Sequence, residues 1–378
     1  MRRILLLTLL SLAVLLSLFE VRRQGRGGRR EAPAALSVAK VLGGAPAAGF
    51  SRALTPRTFT FPADHGPHPG FRNEWWYFTG NLRSPDGHRF GYQLTFFRVA
   101  LTPGREERAS RWGTSEVYMA HFAVTDVGDR RFRFAERFSR EALGLAGAGG
   151  EPLTVWLENW SARETAPSPW SMKLTAADQE MSVDLDLTSL TAPILNGEGG
   201  LSRKSSTPGN ASYYYSMPRM KTTGTLRSGT RSYPVRGLSW LDREWSTSAL
   251  EANQVGWDWL ALQLADGRDL MFYRMRRGDG SADPSSSGTL VGRDGRVLHL
   301  ERDQVGMEVL TWWNSPRGSR YPSRWRITVP SQGIDLEVIP RLADQELANS
   351  FRYWEGAVEA RSANGTEIGS GYLEMTGY

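Results

Sequence analysis

The feature that most limits what this chain can become is a series of short runs in which apolar and polar residues alternate, with almost no helical periodicity between them. The runs are Gly91–Leu101, Val117–Asp126, Leu153–Ala162, Trp170–Ala176, Met181–Leu190, Leu260–Ala265, Asp269–Arg276, Ser323–Pro330 and Gly333–Pro340. A period of two gives a strand one apolar and one polar face, so each run reads as a β-strand. Asp86-Gly87, Asp266-Gly267, Asp294-Gly295 and Asn364-Gly365 each separate two apolar runs. Such pairs suit primed hairpin turns, whose two central residues both take positive φ. Many antiparallel strands joined by tight turns predict an all-β protein of barrels or sandwiches. The 40 Gly and 14 Trp fit this reading, because glycine serves tight turns and aromatic rings fill pleated surfaces.

A weak repeat suggests two such bodies. Glu74-Trp75-Trp76 opens a strand that reaches Asp86-Gly87 and returns from Phe90 to Arg98. Trp257-Asp258-Trp259 opens another that reaches Asp266-Gly267 and returns from Asp269 to Arg276. Both run tryptophan-rich strand, hairpin, apolar strand, arginine, which predicts two related β-modules meeting near residue 240.

The ends differ from the body. Arg2 and Arg3 precede sixteen uncharged, mostly apolar residues, Ile4 to Phe19. As a helix these rise about 24 Å, short of a bilayer core of roughly 30 Å, which favours a signal h-region over a full span. Residues 1–20 are therefore expected to be a signal peptide or membrane anchor, with export to the periplasm or anchoring at the membrane. Residues 21–56, rich in Arg, Gly, Ala and Pro, are expected to be a flexible linker. The formal charge is +6 overall. Residues 1–57 hold ten Lys and Arg against Glu20 and Glu31, a net of +8, so the rest of the chain carries −2. A slightly acidic body lacks the basic face that nucleic acid requires. With no Cys, disulfides, thiolate nucleophiles and Cys-held metals are excluded.

The segments Gly237–Trp245 and Gly256–Trp259, which lie within 23 residues, hold three carboxylates and four tryptophans between them. Buried indoles and carboxylates both need partners, so such a mixture builds a polar network or a pocket. If extended, Trp240, Asp242 and Glu244 share one face while Leu241, Arg243 and Trp245 share the other. Carboxylates two residues apart stand about 7 Å from one another, close enough for one to raise the pKa of its neighbour. Asp258, between Trp257 and Trp259, allows the same two readings. Upstream, Glu74, Trp76, Phe78 and Gly80 share a face, with Trp75 and Tyr77 on the other; Glu74 is either a polar group at a cavity mouth or the partner of an arginine such as Arg72 or Arg98. His121 lies mid-strand among apolar neighbours. Asp64-His65-Gly66-Pro67-His68 reads as an exposed loop, without zinc-like ligand spacing elsewhere. No G-x-S-x-G, H-E-x-x-H or P-loop is present, which leaves ligand binding or carboxylate acid/base chemistry.

Taken together, Asn73–Leu82, the run around His121, Gly237–Leu250, Gln254–Arg276 and Tyr353–Tyr378 resemble the AttH-like family, which is related to carotenoid 1,2-hydratase. The resemblance covers about residues 56 to 378. It implies two lipocalin-like β-barrel domains, here residues 57–240 and 241–378. Relatives are described as secreted hydrolases or as the exported component of an ABC transport system, which implies an apolar or lipid-like ligand, with an ABC permease as partner and, if residues 4–19 persist, membrane contact. On the binding reading Trp75, Trp76, Tyr77, Trp245, Trp257, Trp259 and Tyr273 wall the ligand, and Glu74, His121, Asp242, Glu244 and Asp258 orient a polar group. On the alternative, a hydratase or hydrolase acting on an isoprenoid or lipid, Asp242 or Glu244 donates a proton and Asp258 or His121 is the base. No cofactor or metal is implied. The hydratase pattern has a histidine after the aspartate and an acidic residue after the tyrosine; this chain has Arg243, Arg274 and Met275 there, and an arginine cannot shuttle protons near neutral pH.

Overall fold

A computed structural model describes residues 48–104, 110, 112–247 and 250–378. The expected signal or anchor segment and most of the linker lie outside the described residues. The end of that linker packs instead of hanging free: Phe50 and Ala53 are buried, and Ser51 N donates to Gly70 O. No described helix is long and apolar enough to cross a membrane.

The first sheet holds thirteen strands. They are β1 (Asn73–Arg83), β2 (Arg89–Ala100), β3 (Glu116–Asp126), β4 (Arg131–Arg140), β5 (Ala146–Gly149), β6 (Thr154–Leu157) and β7 (Trp160–Pro167). They continue with β8 (Trp170–Asp178), β9 (Met181–Ser189), β10 (Ile194–Leu195), β11 (Leu201–Arg203), β12 (Ala211–Ser228) and β13 (Arg231–Ser246). Their order is β4-β3-β2-β1-β13-β12-β9-β8-β7-β6-β5, with β10 and β11 on β12, and the sheet curls into a nearly closed barrel. Trp76, Phe78, Leu94, Phe122, Trp160, Leu241 and Trp245 help fill its interior.

The second sheet is a half-barrel. It comprises β14 (Gln254–Leu264), β15 (Asp269–Arg277), β16 (Ser287–Val291), β17 (Val297–Glu301) and β18 (Gly306–Asn314), then β19 (Arg320–Val329), β20 (Ile334–Pro340), β21 (Glu346–Ala348), β22 (Arg352–Arg361) and β23 (Glu367–Thr376). The order is β17-β16-β15-β14-β23-β22-β20-β19-β18, with β21 on β22. In each sheet the first strand pairs with the second and with the last, β1 with β13 and β14 with β23, so the repeat seen in the sequence is a repeat of topology. The chain passes from one sheet to the other between Ser246 and Gln254, and residue 240 lies inside an unbroken strand.

Two details differ from expectation. The run Leu153–Ala162 is two strands, because Glu158 takes a positive φ and turns the chain. The Asp-Gly and Asn-Gly hairpins are not primed turns: only Gly87, Gly267, Gly295 and Gly365 have positive φ. Each glycine N donates to the residue three before it, as in Gly87 N to Ser84 O at 3.0 Å. This is a type I turn followed by a left-handed glycine, the usual three-residue alternative.

The outer face of β1, β2, β12 and β13 lies against β14, β22 and β23. Asn81 Nδ2 donates to Gly371 O at 3.0 Å and Thr125 Oγ1 to Gln345 Oε1 at 2.7 Å. Gly91 has no side chain because a Cβ there would come within 2.6 Å of Ala357 Cβ.

Candidate active site

Along β13 the alternation holds. Leu241 and Trp245 join the barrel interior, while Trp240 packs with Tyr214, Trp259 and Tyr273 at the seam between sheets. Directly opposed residues on paired strands share a face, so register extends these positions sideways. One row runs Asp242, Tyr77, Thr95, His121, Glu136 across β13, β1, β2, β3 and β4. The row beside it runs Glu244, Trp75, Phe97, Met119, Phe138. The second sheet answers with Trp257, Trp259, Tyr273 and Tyr353, and with Glu374, opposite both Trp259 and Glu355.

Four carboxylic acids therefore meet at the seam: Asp242, Glu244, Glu355 and Glu374. Lys204 pairs with one of them, its Nζ 2.8 Å from Glu244, and lies 4.2 Å from the Tyr273 ring centroid. Burial works against the Lys204 charge, but Glu244, Tyr273 and Asp242 together outweigh it and raise its pKa. Asp242 accepts hydrogen bonds from Ser216 Oγ at 2.5 Å, Trp240 Nε1 at 2.6 Å and the Tyr214 hydroxyl. Burial nevertheless lifts its pKa to about 6, helped by Glu244. Glu355 is 1% exposed, and burial followed by the charge of Glu374 holds its pKa well above the carboxylate range. Glu374 is raised by burial and then by Asp242 and Glu244, although Trp257 Nε1 donates to it at 2.7 Å. The hydroxyls of Tyr77 and Tyr353 approach the Glu355 carboxyl, yet neither Glu355 oxygen nor the Tyr77 oxygen completes a well-aligned hydrogen bond. Buried polar atoms left in this state are costly unless something else engages them.

A line of contacts leads from this group to the flank. Tyr353 Oη lies 2.6 Å from His121 Nδ1, and His121 Nε2 lies 3.0 Å from Glu136 Oε1. Burial tends to raise the Glu136 pKa, but hydrogen bonds from His121 and Ser350 bring it below the usual value.

The seam thus brings together Asp242, Glu244, His121, Trp75, Tyr77, Trp257, Trp259 and Tyr273. It does not include Asp258, which is on the opposite face of β14, bound by Arg274 at 2.7 Å, Arg276 at 3.3 Å and the Tyr378 hydroxyl at 2.8 Å. Alternation alone separates Asp258 from Trp257 and Trp259. Glu74, Trp76 and Trp245 are also absent from the seam. Glu74 is fully buried in the barrel, bonded to Arg98 Nε at 2.8 Å, to Arg243 and to His68 Nδ1 at 2.7 Å. The two arginines, second to the opposing cost of burial, hold its pKa far below the ordinary range. Trp76 Nε1 donates to His65 O at 3.1 Å, and Trp245 stacks on His68 at 3.7 Å between ring centroids. The loop read as exposed is largely buried: Asp64 and His65 are nearly inaccessible, and both His68 nitrogens are occupied, by Glu74 and by Asp64 at 3.0 Å. Arg243 belongs to this interior network, on the opposite face of β13 from Asp242. Met275 lines the seam, whereas Arg274 turns away to Asp258.

Sequence reasoning missed Glu355, Glu374, Tyr353, Tyr214, Lys204 and Glu136. One signal was present for the two glutamates: they stand nine residues before Asn364 and nine after Gly365, so closing a hairpin there sets them face to face.

The AttH-like family profile matches residues 52–378. The chain belongs to the AttH-like family. A solved AttH structure from Nitrosomonas europaea is 31% identical, with a TM-score of 0.79, covering 87% of this chain and 100% of the other. The kievitone hydratase structure from Nectria haematococca shares the fold at 13% identity and a TM-score of 0.63, over 86% of this chain and 96% of its own. Among curated proteins, dehydratase AsqC of Emericella nidulans is 26% identical over 46% of this chain and 50% of its own length. Kievitone hydratase of Fusarium solani subsp. phaseoli is 20% identical over 59% and 66%. The match thus spans about half to two thirds of the length of these curated relatives. The names of the two curated relatives refer to addition or removal of water.

Proposed function

We propose that this protein is a lyase of the hydratase or dehydratase kind, acting on a carbon–carbon double bond, or the alcohol derived from it, in an apolar substrate held at the seam. The observation that carries the reading is the Glu355–Glu374 pair beside Asp242, buried among aromatic rings with raised pKa values. A carboxylic acid kept neutral in a dry site can give its proton to an alkene carbon, which water at neutral pH cannot do at a useful rate.

In the hydration direction, the protonated Glu355 donates to one alkene carbon and becomes a carboxylate. The positive charge that develops on the adjacent carbon faces the indoles of Trp257 and Trp259, whose quadrupoles favour a cation. Water adds to that carbon and passes a proton to the Asp242 or Glu374 carboxylate. The proton returns to Glu355, with Tyr353, His121 and Glu136 as the line to solvent. The net change is one water added; dehydration runs the same steps in reverse. Glu244 is engaged by Lys204, and Asp258 takes no part.

The test is to incubate the protein with prenylated and other terminal isoprenoid alkenes in ¹⁸O-labelled water and to seek a labelled alcohol by mass spectrometry. Turnover that disappears in Glu355→Gln supports the reading. An AttH-like protein that retains such a ligand without converting it would instead be a carrier, the role expected of a component of an ABC transport system.

A further inference from the structure

We propose that the protein docks on a lipid surface through one rim of its first sheet. Residues Val99, Val117 and Arg140 form a cross-strand row at that rim, where β2 ends, β3 begins and β4 ends. A groove of about 340 Å³ opens there, lined by Trp112, Val117, Phe138, Arg140, Ala142 and Leu145. Trp112 is 63% exposed, Leu101 53%, Leu143 49%, Phe138 48% and Leu145 47%. These are five of the eleven large apolar side chains exposed among the described residues, and such clustering on a soluble surface marks an interaction site. Leu143 holds a left-handed φ of 60°, a conformation a leucine adopts only at a cost. Hydrogen bonds from Gly144 N to Glu141 O at 3.1 Å and from Trp156 Nε1 to Gly144 O at 3.0 Å hold the turn in which this leucine faces solvent.

Two observations select a lipid surface as occupant. The exposed Arg140 at the edge of the groove suits an anionic headgroup beside apolar rings. The first described residues also lie at this rim: a Cβ on Gly49 would lie 2.8 Å from Pro103 Cγ, two residues beyond Leu101. The residues before it include the uncharged run Ile4 to Phe19 and the arginines at 22, 23, 26, 29 and 30, a composition that favours an anionic leaflet. From the groove, Phe138 continues the apolar row through Met119, Phe97 and Trp75 to Glu244, four strand spacings or about 19 Å. Docking stands independently of the hydratase reading; delivery of a membrane-dissolved substrate along this row rests on it.

The chain has no Cys, so single cysteines can be labelled in the full chain. An environment-sensitive dye on Leu143→Cys should shift to shorter wavelength on vesicles of phosphatidylcholine and phosphatidylglycerol, and nitroxide lipids should quench it. The same dye on Asp294→Cys, at an exposed turn of the second sheet, should not respond. Adding Phe138→Glu and Leu145→Glu should weaken the Leu143→Cys signal roughly tenfold or more at fixed lipid. A dye at position 143 that stays in water while the chain is vesicle-bound overturns the proposal. So does one already shielded without vesicles, which would give the patch to the N-terminal segment or to a second copy. Neither readout involves turnover.

Discussion

Glu355 and Glu374 are direct cross-strand partners on β22 and β23, and both turn toward the seam rather than toward water. Like charges held this way cannot both ionise cheaply, and burial together with the charge of Glu374 holds Glu355 well above the carboxylate range. Replacing Glu355 with Gln removes the repulsion and keeps the shape. The variant should unfold at higher urea than the parent near pH 7, by about 1–3 kcal/mol, and should lose hydration activity. A variant less stable than the parent would mean that the carboxylate is a structural acceptor.

The pH dependence follows from Asp242. Its pKa is near 3.8 unfolded and about 6 folded, so between these values the folded state binds more protons. On account of Asp242 stability falls as pH rises through that window, and Asp269 and the raised glutamates add in the same sense, while His65, whose pKa burial lowers to about 3, opposes them. Urea titrations between about pH 4 and pH 7 should show this decline, with Asp242→Asn flattening its lower part. Activity should also decline with rising pH once the acid is deprotonated.

Arg243 bears on the interior, not on the seam. Its guanidinium pairs with Glu74, bonds to the carbonyls of His65 and Gly66, and lies 4.0 Å from the Trp76 ring centroid. Arg243→His, which restores the residue expected from hydratases, should cost about 3–5 kcal/mol by leaving Glu74 short of a buried partner. Adding Glu74→Gln should recover part of that loss. Enhanced turnover in the single variant would contradict this placement.

The Tyr353 hydroxyl is bonded to His121 and approaches Glu355, and its role can be tested by removing one oxygen. Tyr353→Phe should leave the melting temperature within a few degrees of the parent, slow turnover by about 10²-fold and alter its pH profile. An unchanged rate and profile would remove Tyr353 and His121 from the proton path.

Much of this arrangement was legible in the residues. Strict alternation assigned Trp240, Asp242 and Glu244 to one face of β13 and Leu241, Arg243 and Trp245 to the other, because the side-chain period of a strand leaves no choice once it is extended. The same rule applied to β14 separates Asp258 from Trp257 and Trp259, although all three were expected at one site. Alternation does not say which face meets which sheet, and that is set by pairings such as Tyr353 with His121, 232 residues apart. The burial of Asp64 and His65 was hidden for a similar reason: a loop rich in Gly and Pro looks exposed until its partners, Arg57, Tyr215 and Arg243, are brought to it from elsewhere.

Both raised glutamates ride on a single hairpin, the one that turns at Asn364-Gly365, whose other face adds Trp354, Val358, Leu373 and Met375 to the core of the second sheet. The paired acids are therefore carried by the second sheet, apart from the first barrel's interior. Exchange of that one hairpin between family members could alter acidity and reaction outcome without disturbing the first barrel, so diversity of activity in this lineage should concentrate in a short stretch near the C-terminus.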